Sequence, residues 1–381
     1  MEADVRTRRF LVLLATLLTT LLAVVGCARD SGTSTSAGGD CKRNDPPAGG
    51  AAGASSTQAA PGPNASALKV GFAYDIGGRG DASFNDSAAA GLDKAKADLG
   101  ITQTKELSAA AGESEASAAS RLRQLVAEGY NPIIAIGFRY VPALTTVAKE
   151  SPNVQFGIID GAVEGAANVQ PLVFAEEQGS FLVGAAAAYK TQACHIGFVG
   201  GVEVPLIKKF EAGYIQGAKA VAPDIKITSR YLTPAGDFTG FTDPAKGNVA
   251  AKGELDAGAD VIYHAAGLSG NGVFEAINAA NTADKRKWGI GVDSDQYNQP
   301  PVAASKNIIL TSMLKRVDVA VYNYISAVAS NNLAGLPKVF DLKADGVGYS
   351  TSGGFINDIT SKLDAYKAQI VGGQITVKTT P

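Results

Sequence analysis

Val154-Gln155-Phe156-Gly157-Ile158-Ile159-Asp160 is a short apolar run closed by a carboxylate, and the chain repeats the device. Pro132-Ile133-Ile134-Ala135-Ile136 comes before it and ends at Gly137-Phe138; Lys69-Val70-Gly71-Phe72-Ala73-Tyr74 opens the series and ends at Asp75. Runs that are continuously apolar rather than alternating are strands whose sheet is covered on both faces. The intervening segments at 84–98 and 141–149 have the composition and spacing of amphipathic helices. Further along, helices expected at 176–189, 205–220, 244–257 and 273–280 alternate with strands at 196–199, 225–231, 261–264 and 288–292. So many units exceed one domain, and the chain reads as two α/β lobes. The N-terminal lobe is expected to take 68–175 plus about 294–333, and the C-terminal lobe 176–293 plus about 334–381.

Before these lobes the character of the chain changes. Arg6, Arg8 and Arg9 precede an apolar run from Phe10 to Val25 that ends in Val24-Val25-Gly26-Cys27. A basic start, a short apolar stretch and small residues at the cut describe a secretory signal over residues 1–26. The run is shorter than the roughly 20 residues that cross a bilayer. Branched aliphatics before a Gly-Cys junction make Cys27 the expected lipidation site, with an uncleaved membrane anchor as the rival reading. Residues 27–67, rich in Ser, Thr, Gly, Ala and Pro, are expected to form a flexible tether. Of the three cysteines, Cys41 falls in that tether and Cys194 at a strand start. Export permits a disulfide between them, but a partner in flexible chain favours two free thiols, which is the expectation here. A formal net charge of −2 argues against a nucleic-acid partner.

Right-handed crossovers place every strand's carboxyl end on one edge of its sheet, where open α/β sheets bind ligands. Asp75, Asp160 and Asp293 all stand at such ends, with Gly137-Phe138 and Gly267 at two more. Three carboxylates facing one crevice suit vicinal hydroxyls, as on a ribose; the competing role for any one of them is a helix N-cap. Phe84 and Phe241 each sit in a loop just before a helix. Singly each reads as a hydrophobic staple; as a pair, one per lobe, they suit a clamp on a flat ring. His195 and His264 read as ordinary strand residues, and no metal set, phosphate loop or Gly-x-Ser-x-Gly elbow is present. The Gly-rich stretches at 197–201 and 267–272 read as close backbone approaches. No catalytic residue, metal or cofactor is expected.

These loops carry a resemblance. Tyr74-Asp75-Ile76-Gly77-Gly78, Ser83-Phe84-Asn85, Phe156-Gly157-Ile158-Ile159-Asp160, Phe241-Thr242-Asp243-Pro244 and Gly291-Val292-Asp293-Ser294-Asp295-Gln296 resemble segments of the basic membrane protein family of lipoproteins. The matching segments span nearly all of the chain after the tether, in the family's order. The resemblance implies a type I periplasmic-binding-protein fold, two doubly wound lobes joined by a hinge. It also implies a nucleoside held for an ABC importer permease. Phe84 and Phe241 would sandwich the base, and Asp75, Asp160 and Asp293 would hold the ribose with Lys315 nearby. Asn85 would touch the ligand, and Gly267 would offer a backbone contact near the base. Gly80-Asp81-Ala82 departs from the family's usual Asp-Asp-Lys before Ser-Phe-Asn, leaving the clamp but altering its approach.

The expectation is therefore a non-enzymatic lipoprotein receptor on the outer face of the cell membrane that captures a nucleoside, a purine one by preference. A sugar receptor of the same fold, a nucleoside-cleaving enzyme and a surface adhesin or signalling lipoprotein are the rivals.

Overall fold

In the computed structural model, which describes residues 41–47, 63–282 and 284–381, the quoted runs all become strands. The signal segment and Cys27 lie outside the described residues. β1 (Lys69–Tyr74), β2 (Gln103–Ser108), β3 (Ile133–Ile136), β4 (Phe156–Ile159) and β5 (Val169–Leu172) form a parallel sheet in the order β2-β1-β3-β4-β5. The second sheet runs β11 (Val347–Tyr349), β10 (Ile309–Lys315), β9 (Trp288–Asp293), β8 (Val261–Ala265), β6 (His195–Val202) and β7 (Lys226–Thr233). It is parallel apart from the antiparallel edge strand β11. In both sheets the first strand in sequence lies inside the second, so the order reverses beside it, between β1 and β3 and between β6 and β8. Such a switch point opens a crevice beyond the strand ends.

Helices cover the sheets in packed pairs: α1 (Phe84–Leu99) with α8 (Val317–Ala329), α2 (Glu115–Ala127) with α3 (Val141–Glu150), α4 (Glu176–Lys190) with α5 (Pro205–Val221), and α6 (Pro244–Asp256) with α7 (Ser269–Ala280). α9 (Thr360–Val371) packs on α4. The Gly and Ala content expresses itself in these pairs. A Cβ on Gly213 would lie 2.0 Å from the Glu177 carbonyl, and one on Gly217 1.9 Å from that of Phe181. α4 and α5 therefore pack backbone against backbone, a closeness that larger residues exclude.

Two expectations are corrected. The chain was expected to return to the N-terminal lobe at about 294, yet Ser312, Met313 and Leu314 of β10 pair with Gly291, Val292 and Asp293 of β9. The return comes only after Lys315, with α8 packed on α1. β10 completes the parallel part of the second sheet before the chain leaves it. Second, Cys41 and Cys194 form a disulfide, with Cα atoms 5.2 Å apart, and residues 41–47 are docked rather than free. Asn44 N donates to the Val221 carbonyl at 2.7 Å, Arg43 Nε to that of Ala188 at 2.8 Å, and Gln369 Nε2 to that of Pro47 at 2.6 Å. Local composition cannot reveal such pairing with distant carbonyls.

The crossings between the sheets lie side by side. Phe340 N donates to the Val173 carbonyl at 2.8 Å, Ala175 N to that of Phe340 at 3.2 Å, and Arg316 N to that of Gly346 at 2.9 Å. Adjacent strands carrying few cross-bonds make a hinge of the type used for lobe closure. No helix among the described residues is long and apolar enough to cross a membrane.

Candidate functional site

The carboxyl edges of the two sheets meet around a cavity of about 680 Å³, part of it open to solvent. Asp75, Phe84, Asn85, Asp160, Phe241, Gly267, Asp293 and Lys315 all line it, so the structure brings together every ligand-contact residue expected from the sequence. Asp81, Phe138, Leu206, Ile207 and Phe210 complete the wall, making it largely apolar with a few convergent charges. That combination is usual for small-molecule sites.

Each carboxylate is set by its strand end. Asp160 and Asp293 leave β4 and β9 with φ of 63°, a left-handed conformation that Asp tolerates better than most residues. Neither acts as a helix cap. Lys315 Nζ donates to Asp160 Oδ2 at 2.6 Å, and Ser83 Oγ to Asp293 Oδ2 at 2.5 Å. Ser83 belongs to the first sheet's loops, so the second of these bonds spans the crevice. Asp75 Oδ1 accepts from Ile76 N at 2.8 Å and from Arg139 Nη1 at 3.0 Å. A Cβ on Gly137 (φ 106°) would stand 2.6 Å from Asp75 Oδ2, so this position needs glycine for space as well as for backbone.

Burial dominates the electrostatics. It raises all three carboxyls above their ordinary range, Asp160 to about 6 even though Lys315 pulls the other way. Burial also works against the charge on Lys315, but Asp160, Glu176 and Asp293 outweigh it and hold the ammonium above the usual lysine value. Lys315 lies 3.3 Å from Glu176 and within cation–π reach of three rings, 5.2 Å from the centre of Phe84, 5.1 Å from Phe174 and 5.6 Å from Phe210. One face of the Phe84 region is thereby fixed by a cation–π contact.

Phe241 is fixed by glycines. A Cβ on Gly201 would lie 2.5 Å from its Cδ1, and one on Gly267 3.1 Å from its carbonyl. The Gly-rich stretches are thus the seat of an aromatic side chain. Asp243 caps α6 through Lys246 N at 3.1 Å and holds the loop in place. Asn85 lines the cavity with both polar ends engaged: Oδ1 accepts from Asp75 N at 3.2 Å, and Nδ2 donates to the Ile76 carbonyl at 3.2 Å.

Asp81 was missed as a site residue. It accepts from the backbone N–H of Ser83, Asn85 and Asp86 at 2.9, 2.8 and 3.1 Å and so fixes the start of α1, and with it Phe84. Burial foremost pushes it up to about 7 against those bonds. An Asp just ahead of a helix start is the signal that could have found it. His264 stacks edge-on to Phe274 at 4.9 Å, and burial pushes it down to about 3, leaving a neutral ring. No cluster of three or more candidate metal ligands occurs among the described residues.

The family model described as "ABC transporter substrate-binding protein PnrA-like" matches residues 67–380. A protein of Listeria monocytogenes named CD4+ T-cell-stimulating antigen is 37% identical over 321 residues, 82% of this chain and 88% of its own. A Lactococcus lactis subsp. cremoris protein named ABC transporter nucleoside-binding protein BmpA is 33% identical over 327 residues, 81% of this chain and 89% of its own. Among solved structures, a solute-binding protein of an ABC transporter system from Aeropyrum pernix K1 superposes with a TM-score of 0.70. It is 28% identical, over 82% of this chain and 93% of that one.

Proposed function

This chain belongs to the PnrA-like family of ABC transporter substrate-binding proteins, and from that premise we propose that its ligand is a purine nucleoside. The family is one of solute-binding proteins rather than enzymes, with a captured solute and a transporter permease as partners. The observation carrying the finer reading is the cavity itself. Phe84 and Phe241 enter it from opposite lobes, and Asp75, Asp160 and Asp293 line it with Lys315. A flat base stacks between rings at roughly 1–3 kcal/mol, while ionised carboxylates accept from ribose hydroxyls. The name of the Lactococcus relative points the same way. The fused bicyclic surface of a purine gains more from two rings than a pyrimidine does. In the same reading, lipid on Cys27 anchors the receptor outside the cell membrane.

Calorimetry with adenosine, guanosine, inosine, cytidine and ribose tests the ligand. The purine nucleosides are expected to release heat with the highest affinity. Heat from ribose alone would establish the sugar receptor instead, and no heat from any nucleoside would refute the proposal. A Cys27→Ala protein is expected to leave the membrane fraction with its binding unchanged.

A further inference from the structure

We propose that Arg139 couples ligand capture to lobe closure, positioning Asp75 on one side and latching the opposite lobe through Phe238 on the other. Arg139 follows Gly137-Phe138 at the end of β3. Its Nη1 donates to Asp75 Oδ1 at 3.0 Å, which leaves Asp75 Oδ2 toward Gly137 for a ligand hydroxyl. The other flank of its guanidinium lies over the Phe238 ring, 4.6 Å from the ring centre. Phe238 stands in the turn after β7, on the second lobe. Phe138 meets the same ring edge-on at 5.9 Å.

The geometry separates this from an ordinary surface ion pair. Arg139 and Asp75 both sit on the first lobe and are mostly buried, their side chains 15% and 16% exposed. Their contact survives any hinge motion. The stack on Phe238 exists only while the lobes meet. Beyond this wall lies a second crevice of about 850 Å³, part of it open to solvent, on the outside of Arg139 and Phe238, shared with Asp75, Glu113, Glu115 and Tyr140. The wall therefore divides the ligand cavity from open water. The remaining charges nearby are largely committed: Arg121 donates to Glu113 Oε1 and to Tyr140 Oη, both at 2.8 Å. Glu115 is exposed at the start of α2. Arg139 is accordingly the cation available to Asp75, and it opposes the rise that burial imposes on that carboxyl.

The part of this inference that concerns ligand rests on the nucleoside reading; the latch does not. The test uses the whole chain with one spin label on each lobe, in wild type, R139Q, R139K, F238L and R139Q/F238L. Inter-lobe distances are measured with and without inosine, and inosine affinity is measured between pH 5 and 8. R139Q and F238L are each expected to reduce the closed population several-fold, and the double variant to close no less than the weaker single one. R139Q should weaken inosine binding by about tenfold or more, as loss of a charge-assisted hydrogen bond implies. It should also move the acid loss of binding to higher pH, since Asp75 loses its cation. F238L should leave that midpoint in place, and R139K should restore the midpoint but not the stack. An R139Q that closes and binds like wild type overturns the proposal, as does a lowered melting temperature with closure and pH midpoint unchanged. If wild type binds no nucleoside, that reading falls alone. The label distances then decide the latch: loss of the closed population in R139Q supports it, and an unchanged one overturns it.

Discussion

Gly201→Ala is the smallest change that should damage the proposed clamp without touching a ligand contact. The added Cβ would lie 2.5 Å from Phe241 Cδ1 and 2.6 Å from Cε1, where ordinary contact begins at 3.4 Å. The ring must therefore move by about 1 Å, and the open side is the cavity, so it moves into the space a base would fill. Losing most of one stacking partner costs roughly 1–3 kcal/mol, or about 5- to 150-fold in affinity. Because the ring has somewhere to go, the stability cost should lie near the bottom of the range for overpacking, about 1 kcal/mol. Calorimetric titration with inosine and thermal melting, in wild type, G201A, F241A and the double variant, separate these effects. With the ring absent, G201A should add almost nothing to F241A. A G201A protein that binds like wild type would refute the seating argument. So would a penalty that persists undiminished in the F241A background.

Other predictions concern charge and covalent structure. Asp160 is raised to about 6 by burial against Lys315, so its contribution to stability is fully present below the unfolded value near 3.8 and is lost as pH rises through about 6. Acidification from pH 7 should thus not cost ligand-free stability through this group, whereas a ligand that needs the carboxylate should bind up to about tenfold more weakly per pH unit below 6. Melting and calorimetry across pH 5 to 7.5 should show these opposite trends. Lys315→Met leaves Asp160 buried without its cation, while Glu176 keeps Lys209, and should destabilise by about 3–5 kcal/mol, with D160N/K315M recovering part of it in denaturant titrations. Cys41→Ser opens a link 153 residues long in sequence and should cost up to about 5 kcal/mol by loop entropy. It should also speed tryptic cleavage after Arg43, whose guanidinium is otherwise held by the Ala188 and Thr191 carbonyls.

What the sequence disclosed and what it concealed follow from the range of the forces involved. Buried parallel strands announce themselves locally, because Ile133–Ile136 and Phe156–Ile159 must be apolar on both faces. The edge strand Gln103–Ser108 has no such constraint, since its side chains are half-buried or exposed, and it went unread. Strand-end carboxylates were legible for the same topological reason, and Asp75, Asp160 and Asp293 do line one cavity. The Cys41–Cys194 bond was misjudged because flexibility was inferred from composition. The docking of 41–47 depends instead on carbonyls near the ends of α4 and α5 and on the Gln369 side chain of α9. Arg139 was invisible in the same way, since its partner Phe238 lies 99 positions on and meets it only through the fold.

The site's charges also explain why capture and closure belong together. Asp75, Asp160 and Asp293 are each raised by burial, two of them on left-handed backbone, while Lys315 and Arg139 are the cations that the structure sets against them. The arrangement is costly in the absence of ligand, because burial disfavours the charged form of each carboxyl, while the protein's bonds to Asp75 and Asp293 fall on Asp75 Oδ1 and Asp293 Oδ2 and leave the second oxygen of each without one. A ligand hydroxyl restores the missing donor. Closing the lobes then removes the remaining water and strengthens every charge-assisted bond in the crevice. The cost carried by the ligand-free site is thus returned on binding, and most fully in the closed state. That differential is what allows a solute to shift a hinge equilibrium. A ligand that stacked between Phe84 and Phe241 but offered no hydroxyl should therefore bind weakly and leave the lobes largely open.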